Sequence, residues 1–161
     1  MKKIKRIVCK MRLLFAKYTH SKSYMKEYNS YLSFVGIDCI SGIKYIHPTA
    51  YIDLGYASHI HIGENLVVSI NSIILAHDYS LGFGLMAVGK GTTKRDSVII
   101  KDVHIGNNVF VGANCVILPG TTIGDNCIIG AGSVCSGIVS PRSVVVGCKA
   151  KTIKSIDDWI E

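Results

Sequence analysis

The residue best placed to do chemistry is His77, which lies in the sequence Ile74-Leu-Ala-His-Asp78. A stretch rich in glycine and basic residues follows it directly, up to Ser97. A neutral imidazole has a pKa of about 6.5, so it can take a proton from a reacting group at neutral pH and act as a general base. Such a base needs an acceptor that orients its ring. Asp53 and Asp78 both qualify, and their spacing alone favours neither.

The other histidines are weaker candidates. His59 and His61 alternate along one short predicted strand. His104 precedes Ile105-Gly106 and is expected in a solvated turn, whereas His47 stands before Pro48 at the predicted start of a strand. These four histidines therefore rank below His77 as candidates.

Apolar residues recur at every sixth position through the middle of the chain. A period of six fits neither a helix, at about 3.6 residues per turn, nor a strand, at about 2. It fits a short strand followed by a turn, repeated, and so predicts an all-β solenoid. Two series share this step and are expected to point into a narrow core: Ile99, Ile105, Val111, Ile117, Ile123, Ile129 and Cys135, and then Val109, Cys115, Thr121, Cys127, Ser133 and Val139.

The stretch from His104 to Val134, with Ile105-Gly-Asn-Asn108, Pro119-Gly120 and Ile129-Gly-Ala-Gly-Ser133, resembles the hexapeptide-repeat acyltransferases. The likeness covers residues 45–154 and is nearest to the sugar and polysaccharide O-acetyltransferases, with the serine acetyltransferases more distant. It implies a left-handed parallel β-helix, a sense of winding that spacing does not show. It also implies that three hexads form one coil, so that residues eighteen apart stack: Val111 on Ile129, Ile105 on Ile123 and Ile117 on Cys135.

The resemblance also implies a site. A histidine at the position of His77 is the catalytic base in these enzymes, where it takes the proton of a sugar hydroxyl while a backbone N–H holds the oxyanion. The chain departs from the family at Gly137, where a lysine is usual, and at Lys149, which replaces a proline. The residues expected to contact acetyl-CoA by this likeness are Ala113, Ala131, Ser136, Lys151 and Lys154.

Three parts are predicted along the 161 residues. Residues 1–44 form a basic helical segment, residues 45–150 the β-helix domain with an inserted loop at 78–97, and residues 151–161 a tail helix. The net charge of +7 comes largely from the first segment, which has no acidic residue before Glu27. Its helix could contact an anionic membrane surface or pack within a trimer, and both alternatives stay open. Basic residues interrupt its apolar run, so neither a signal peptide nor a membrane span is predicted.

The six cysteines predict no metal or redox site, because no Cys-x-x-Cys spacing occurs. Cys115, Cys127 and Cys135 occupy repeat positions and are expected as small core residues. Reduced thiols are typical of the cytoplasm, so a cytoplasmic protein is expected, at the inner face of the membrane if the N-terminal helix binds lipid.

The predicted function is acetyl transfer from acetyl-CoA to a sugar hydroxyl in bacterial capsule, lipopolysaccharide or exopolysaccharide assembly. The expected partners are two further copies in a homotrimer and a sugar or polysaccharide-precursor acceptor, without nucleic acid. Serine acetyltransferase and sugar-nucleotide N-acetyltransferase are the alternatives, although the 44 residues before the repeat are too few for the N-terminal domains of those families. A γ-type carbonic anhydrase needs two zinc-binding histidines five residues apart, and no such pair occurs. A non-catalytic solenoid would not need His77 beside a glycine-rich loop.

Overall fold

A computed structural model describes residues 2–19, 22–39, 42–90, 97–149 and 151–155. Within these residues the helices are α1 (Lys2–Tyr18), α2 (Tyr24–Val35) and α3 (Ser80–Ala87), and a 3-10 helix spans Leu54–His59. The strands in chain order are β1 (Asp38–Cys39), β2 (Tyr45–Ile46), β3 (Tyr51–Ile52), β4 (Ile60–Ile62), β5 (Val67–Val68), β6 (Ile73–Ile74), β7 (His77–Asp78), β8 (Ile99–Ile100), β9 (Val103–Ile105), β10 (Phe110–Val111), β11 (Val116–Ile117), β12 (Thr122–Ile123), β13 (Ile128–Ile129), β14 (Val134–Cys135), β15 (Ile138–Val139), β16 (Ser143–Val146) and β17 (Lys151–Ser155).

Parallel strands form the three faces of a prism. Face A has the order β1-β4-β9-β12-β15, face B has the order β2-β5-β10-β13-β16-β17, and face C has the order β3-β6-β11-β14. In face B only the pairing of β16 with β17 is antiparallel. The predicted stacking of residues eighteen apart is confirmed, because the paired residues are Ile105 with Ile123, Val111 with Ile129 and Ile117 with Cys135.

The two repeat series fill the core of the prism. All of their members are buried except Ile99, which is half-buried. The hydroxyls among them are paired: Thr121 Oγ1 donates to the carbonyl oxygen of Leu118 at 2.6 Å, and Ser133 Oγ donates to that of Gly130 at 2.6 Å. Burial raises the pKa of the Cys135 thiol to about 11, so this thiol stays neutral. The prediction that Cys115, Cys127 and Cys135 are small core residues is confirmed.

Asparagine and glycine shape the corners between the faces. Asn65, Asn108 and Asn126 lie in the left-handed region, with φ of 57°, 54° and 57°. Their side chains form a ladder, in which Asn65 Nδ2 donates to Asn108 Oδ1 at 2.9 Å and Asn108 Nδ2 donates to Asn126 Oδ1 at 3.1 Å. At Gly112 a Cβ would lie 2.7 Å from the backbone nitrogen of Ala131, so a side chain there would push two coils apart. The hexad glycines are therefore needed for close stacking.

Two boundaries differ from those predicted. Strand β1 pairs with β4, so the solenoid begins at Asp38 rather than at residue 45; no hexad step marks this strand in the sequence. Lys151–Ser155 forms β17 where the sequence predicts a tail helix over 151–161, and residues 156–161 lie outside the described part. The last strand of a face offers unpaired backbone N–H and C=O groups, and a returning strand satisfies them.

The N-terminal helices pack on the first coil. The Asn29 side chain ties α2 to it by accepting from the backbone N–H of Ile43 at 2.8 Å and donating to its carbonyl oxygen at 2.9 Å. Helix α1 buries Leu13 and Ala16 but leaves one apolar side exposed, namely Ile4, Ile7, Val8, Met11, Leu14, Phe15 and Tyr18. Its contact with a membrane or with another copy stays a prediction. Among the described residues, no helix has both the length and the apolar character to cross a bilayer.

Candidate active site

The site lies where the inserted segment leaves face C. His77 begins β7, which pairs antiparallel with β8 so that His77 stands opposite Ile100. Helix α3 lies between these two strands in the chain, and residues 91–96 are outside the described part. The prediction of a loop over 78–97 is therefore wrong at Asp78, which lies in β7, and over Ser80–Ala87, which forms α3. The β7–β8 ladder fixes the backbone of His77 instead of leaving it in a free loop.

Asp53 orients the imidazole of His77. This carboxylate follows β3 and is only 1% exposed. Its Oδ2 accepts a hydrogen bond from the backbone N–H of Ala76 at 3.2 Å and contacts Nδ1 of His77. When Nδ1–H donates to the carboxylate, Nε2 carries the free lone pair. The ring can then accept a proton at Nε2, and the buried carboxylate stabilises the imidazolium that results.

Asp78, the other acceptor that the sequence allows, has a different role. Its carboxylate accepts hydrogen bonds from the backbone N–H of Ser80 at 2.7 Å and from the Ser80 hydroxyl at 2.9 Å. These bonds lower the pKa of Asp78, so the group stays ionised at the beginning of α3. The structure thus assigns the orienting role to Asp53 and a helix-starting role to Asp78.

Two tyrosines enclose the His77 ring. Tyr56 stacks on it with ring centroids 4.5 Å apart at 28°, and Tyr79 meets it edge-on at 5.0 Å and 72°. Their hydroxyls are 3.0 Å apart, and this hydrogen bond raises the pKa of Tyr56. The sequence analysis missed both residues. A signal existed in the spacing from Ile52 to Ile62, which is four residues longer than one hexad step, because the 3-10 helix that carries Tyr56 lies in this interval.

The predicted acetyl-CoA residues lie at the two edges of face C. Ala113 and Ala131 stack at the corner with face B, where the Ala113 carbonyl oxygen accepts from the backbone N–H of Gly132 at 2.8 Å. Ser136 follows β14 at the other corner, where it is exposed. His77 follows β6 at the same corner, and β6 lies two strand steps from β14 in face C. With strands about 4.8 Å apart, Ser136 and His77 are therefore about 10 Å apart along the prism.

The two predicted lysines lie beyond the last coil. In β17, Lys151 pairs with Val146 and Lys154 pairs with Val144, while their side chains lie outside the described part. Four strand steps separate β5 from β17 in face B. At about 4.8 Å per step this is about 19 Å along the prism. The backbone of these lysines thus lies far along the prism from the coil that carries His77.

The other histidines in the described part of the chain make contacts elsewhere. His104 lies on β9, not in a turn as predicted, and its ring stacks on His61 with centroids 4.5 Å apart at 10°. His59 ends the 3-10 helix, so only His61 of that predicted pair is on a strand. His47 follows β2 rather than starting a strand, and its Nδ1 lies 2.9 Å from the Thr49 hydroxyl.

Comparison with known proteins agrees with this architecture. The family model described as bacterial transferase hexapeptide (six repeats) matches residues 95–137. The galactoside O-acetyltransferase of Escherichia coli strain K12 is 34% identical over 128 residues, which is 71% of this chain and 62% of that protein. The chain thus spans less than two thirds of the length of this curated relative.

Two solved structures share the fold over nearly the whole chain. The maltose O-acetyltransferase of Clostridium difficile 630 superposes with a TM-score of 0.61 at 23% identity, covering 96% of this chain and 87% of that one. A galactoside acetyltransferase in complex with coenzyme A gives a TM-score of 0.60 at 24% identity, covering 98% and 84%. The fold is the left-handed parallel β-helix.

Proposed function

Because the chain belongs to the bacterial hexapeptide-repeat transferases, we propose that it transfers an acetyl group from acetyl-CoA to a sugar hydroxyl. The observation that carries this proposal is His77, held by the buried Asp53 at the base of the inserted segment. Further support comes from the relatives, which are named galactoside and maltose O-acetyltransferases. The proposed acceptor is a sugar unit of a bacterial capsule, lipopolysaccharide or exopolysaccharide precursor.

The geometry supports a direct transfer. Nε2 of His77 takes the proton of the acceptor hydroxyl as that oxygen attacks the thioester carbonyl carbon. The tetrahedral intermediate collapses by breaking the carbon–sulfur bond, and the imidazolium returns the proton to the coenzyme A thiolate. Asp53 keeps the ring in the tautomer that the first step needs and stabilises its cationic form. Tyr56 holds the ring plane by stacking on it, and Tyr79 holds it by an edge-on contact.

The test of this function is acetyl transfer by the purified protein. With acetyl-CoA and a galactoside or maltose as acceptor, we expect O-acetylated sugar and free coenzyme A in equal amounts. Thiol release is followed colorimetrically and the ester by mass spectrometry. If acetyl-CoA is consumed with serine or an amino sugar, and with none of a panel of sugar hydroxyls, the O-acetyltransferase proposal is wrong.

We further propose that Lys151 and Lys154 attract the phosphates of acetyl-CoA. Phosphate attraction is mostly ground-state binding, so the double variant Lys151→Ala, Lys154→Ala should raise the Michaelis constant for acetyl-CoA more than it lowers turnover. The loss of affinity should be greater at low salt, where screening of the charges is weakest. Titration calorimetry with coenzyme A measures the dissociation constant. The matched control is Lys22→Ala, Lys26→Ala, which removes the same charge at the N-terminal end. An unchanged dissociation constant in the tail variant would place the phosphates elsewhere, with Lys90 of the inserted segment as the next candidate.

A homotrimer with active sites between neighbouring prisms is the proposed assembly. The core of one prism is thin, and a chain of this kind gains stability by covering its faces. The inserted segment also exposes large apolar side chains, namely Leu81, Phe83, Met86 and Val88. Sedimentation equilibrium at micromolar concentration should therefore give three times the chain mass of 17.5 kDa. A monomer mass under these conditions would contradict the trimer.

A further inference from the structure

Face A carries a cluster of imidazoles and carboxylates away from the His77 site. Strands β4 and β9 are neighbours, with His61 opposite His104. His59 and Asp102 precede these residues by two positions and meet each other, with Nδ1 of His59 2.7 Å from Oδ1 of Asp102. His59 and His61 are half-buried and Asp102 and His104 are exposed, so all four side chains reach the outer surface. One ligand atom from each of His61, Asp102 and His104 lies within 4.8 Å of the other two.

The surroundings of these three residues already have the arrangement that a metal site requires. Asp38 on β1 lies 3.3 Å from Nδ1 of His61, so this nitrogen can donate to the carboxylate and leave Nε2 free to bind a cation. His59 engages only Oδ1 of Asp102 and leaves Oδ2 available. Asp38 thus orients His61, and His59 orients Asp102.

We propose that His61, Asp102 and His104 bind a divalent cation of the zinc type. Two imidazole nitrogens and one carboxylate oxygen form a donor set that Zn²⁺ accepts, and a water molecule would complete four-coordination. The stacked rings of His61 and His104 bring one nitrogen of each within 4.8 Å of the other. The rings must turn from this stacked arrangement to direct both nitrogens at one cation. The sequence analysis missed these three residues because it considered only Cys-x-x-Cys spacing and histidines five residues apart.

The cation would join coils that are far apart in sequence. His59 and Asp102 are separated by 43 positions, because the inserted segment lies between β4 and β9. Asp38 adds the first coil through β1. A ligand that binds the folded chain and not the unfolded chain raises the thermal stability. The bound cation is therefore a clamp across three coils at the point where the solenoid is interrupted, and it takes no part in acetyl transfer.

The test uses the full chain after dialysis against a chelator. Titration calorimetry with ZnCl₂ should show one ion per chain, and thermal unfolding should move to higher temperature as Zn²⁺ is added. The double variant His61→Ala, His104→Ala should lose both effects. His47→Ala is the matched control and should keep them, because His47 contacts Thr49 and lies outside the cluster. Asp38→Asn should bind Zn²⁺ about 10–100-fold more weakly, the usual cost of losing a partner that orients a ligand.

All three variants replace residues whose side chains are exposed or half-buried, and circular dichroism checks that they are folded. Equal Zn²⁺ stoichiometry and affinity in the wild-type chain and in the His61→Ala, His104→Ala variant would overturn the proposal. So would the absence of any Zn²⁺ binding to the wild-type chain. Acetyl transfer after chelator treatment is a separate measurement, so failure of the cation site and failure of the proposed enzyme activity can be told apart.

Discussion

Replacing His77 by alanine is expected to lower the turnover of acetyl transfer by about two to four orders of magnitude, the usual contribution of a general base. The acceptor hydroxyl is almost fully protonated at neutral pH, so its attack on the thioester is slow when no group takes the proton. The affinity for coenzyme A should change little, because the predicted contacts of the donor lie at Ala113, Ala131, Ser136 and the tail lysines. Thiol release at saturating acetyl-CoA measures the turnover, and calorimetry measures the affinity for coenzyme A.

The control for this prediction is a histidine of the same chain outside the site. His47→Ala removes a partly exposed imidazole from the first coil and should retain near-normal turnover. Circular dichroism and sedimentation of His77→Ala should match those of the wild type. Near-normal turnover in a folded His77→Ala variant would remove His77 from the mechanism and return His59 and His61 to consideration.

Replacing Asp53 by asparagine should have the second largest effect, a loss of turnover of up to about four orders of magnitude, as for the same change in a Ser-His-Asp triad. The amide has nearly the same shape as the carboxylate, so the fold should be retained. It cannot stabilise the imidazolium, and its NH₂ group would donate to Nδ1 and place the proton on Nε2. His77 would then present a donor where a base is needed. Steady-state kinetics with the sugar acceptor measure the loss.

Asp78→Asn is the matched control for Asp53→Asn. It makes the same chemical change one residue from His77, at a carboxylate that binds Ser80. We expect less than about a tenfold loss of turnover, the effect of a weakened helix start and a lost surface charge. If both asparagine variants lose activity equally, the orienting role is not specific to Asp53. In the double variant His77→Ala, Asp53→Asn the losses should not add, because the two residues act as one unit.

The hexad period was enough to predict the solenoid core. Each repeat must place one apolar side chain inward and turn at a corner, so Val111, Ile117 and Ile129 could be assigned to the core before any coordinate was known. The resemblance to the hexapeptide-repeat acyltransferases predicted their partners, because it implies that three hexads complete one coil. The position of His77 at the break in the period could also be found from the sequence. A linear pattern of this kind is informative because every coil contacts only its neighbours.

Contacts between distant parts of the chain decided the features of the site that the hexad period does not encode. Asp53 was equal to Asp78 by spacing, and only the packing of β3 beside β6 put its carboxylate under the His77 ring. Tyr56 and Tyr79 come from two segments that interrupt the repeat, so no repeat position marks them. The face A cluster likewise joins residues 43 positions apart. The sequence by itself determined the repeating core and the candidate base, because both follow from local spacing. Only the tertiary structure chose the partner of the base and assembled the second cluster, since side chains from different coils meet only after the coils have stacked.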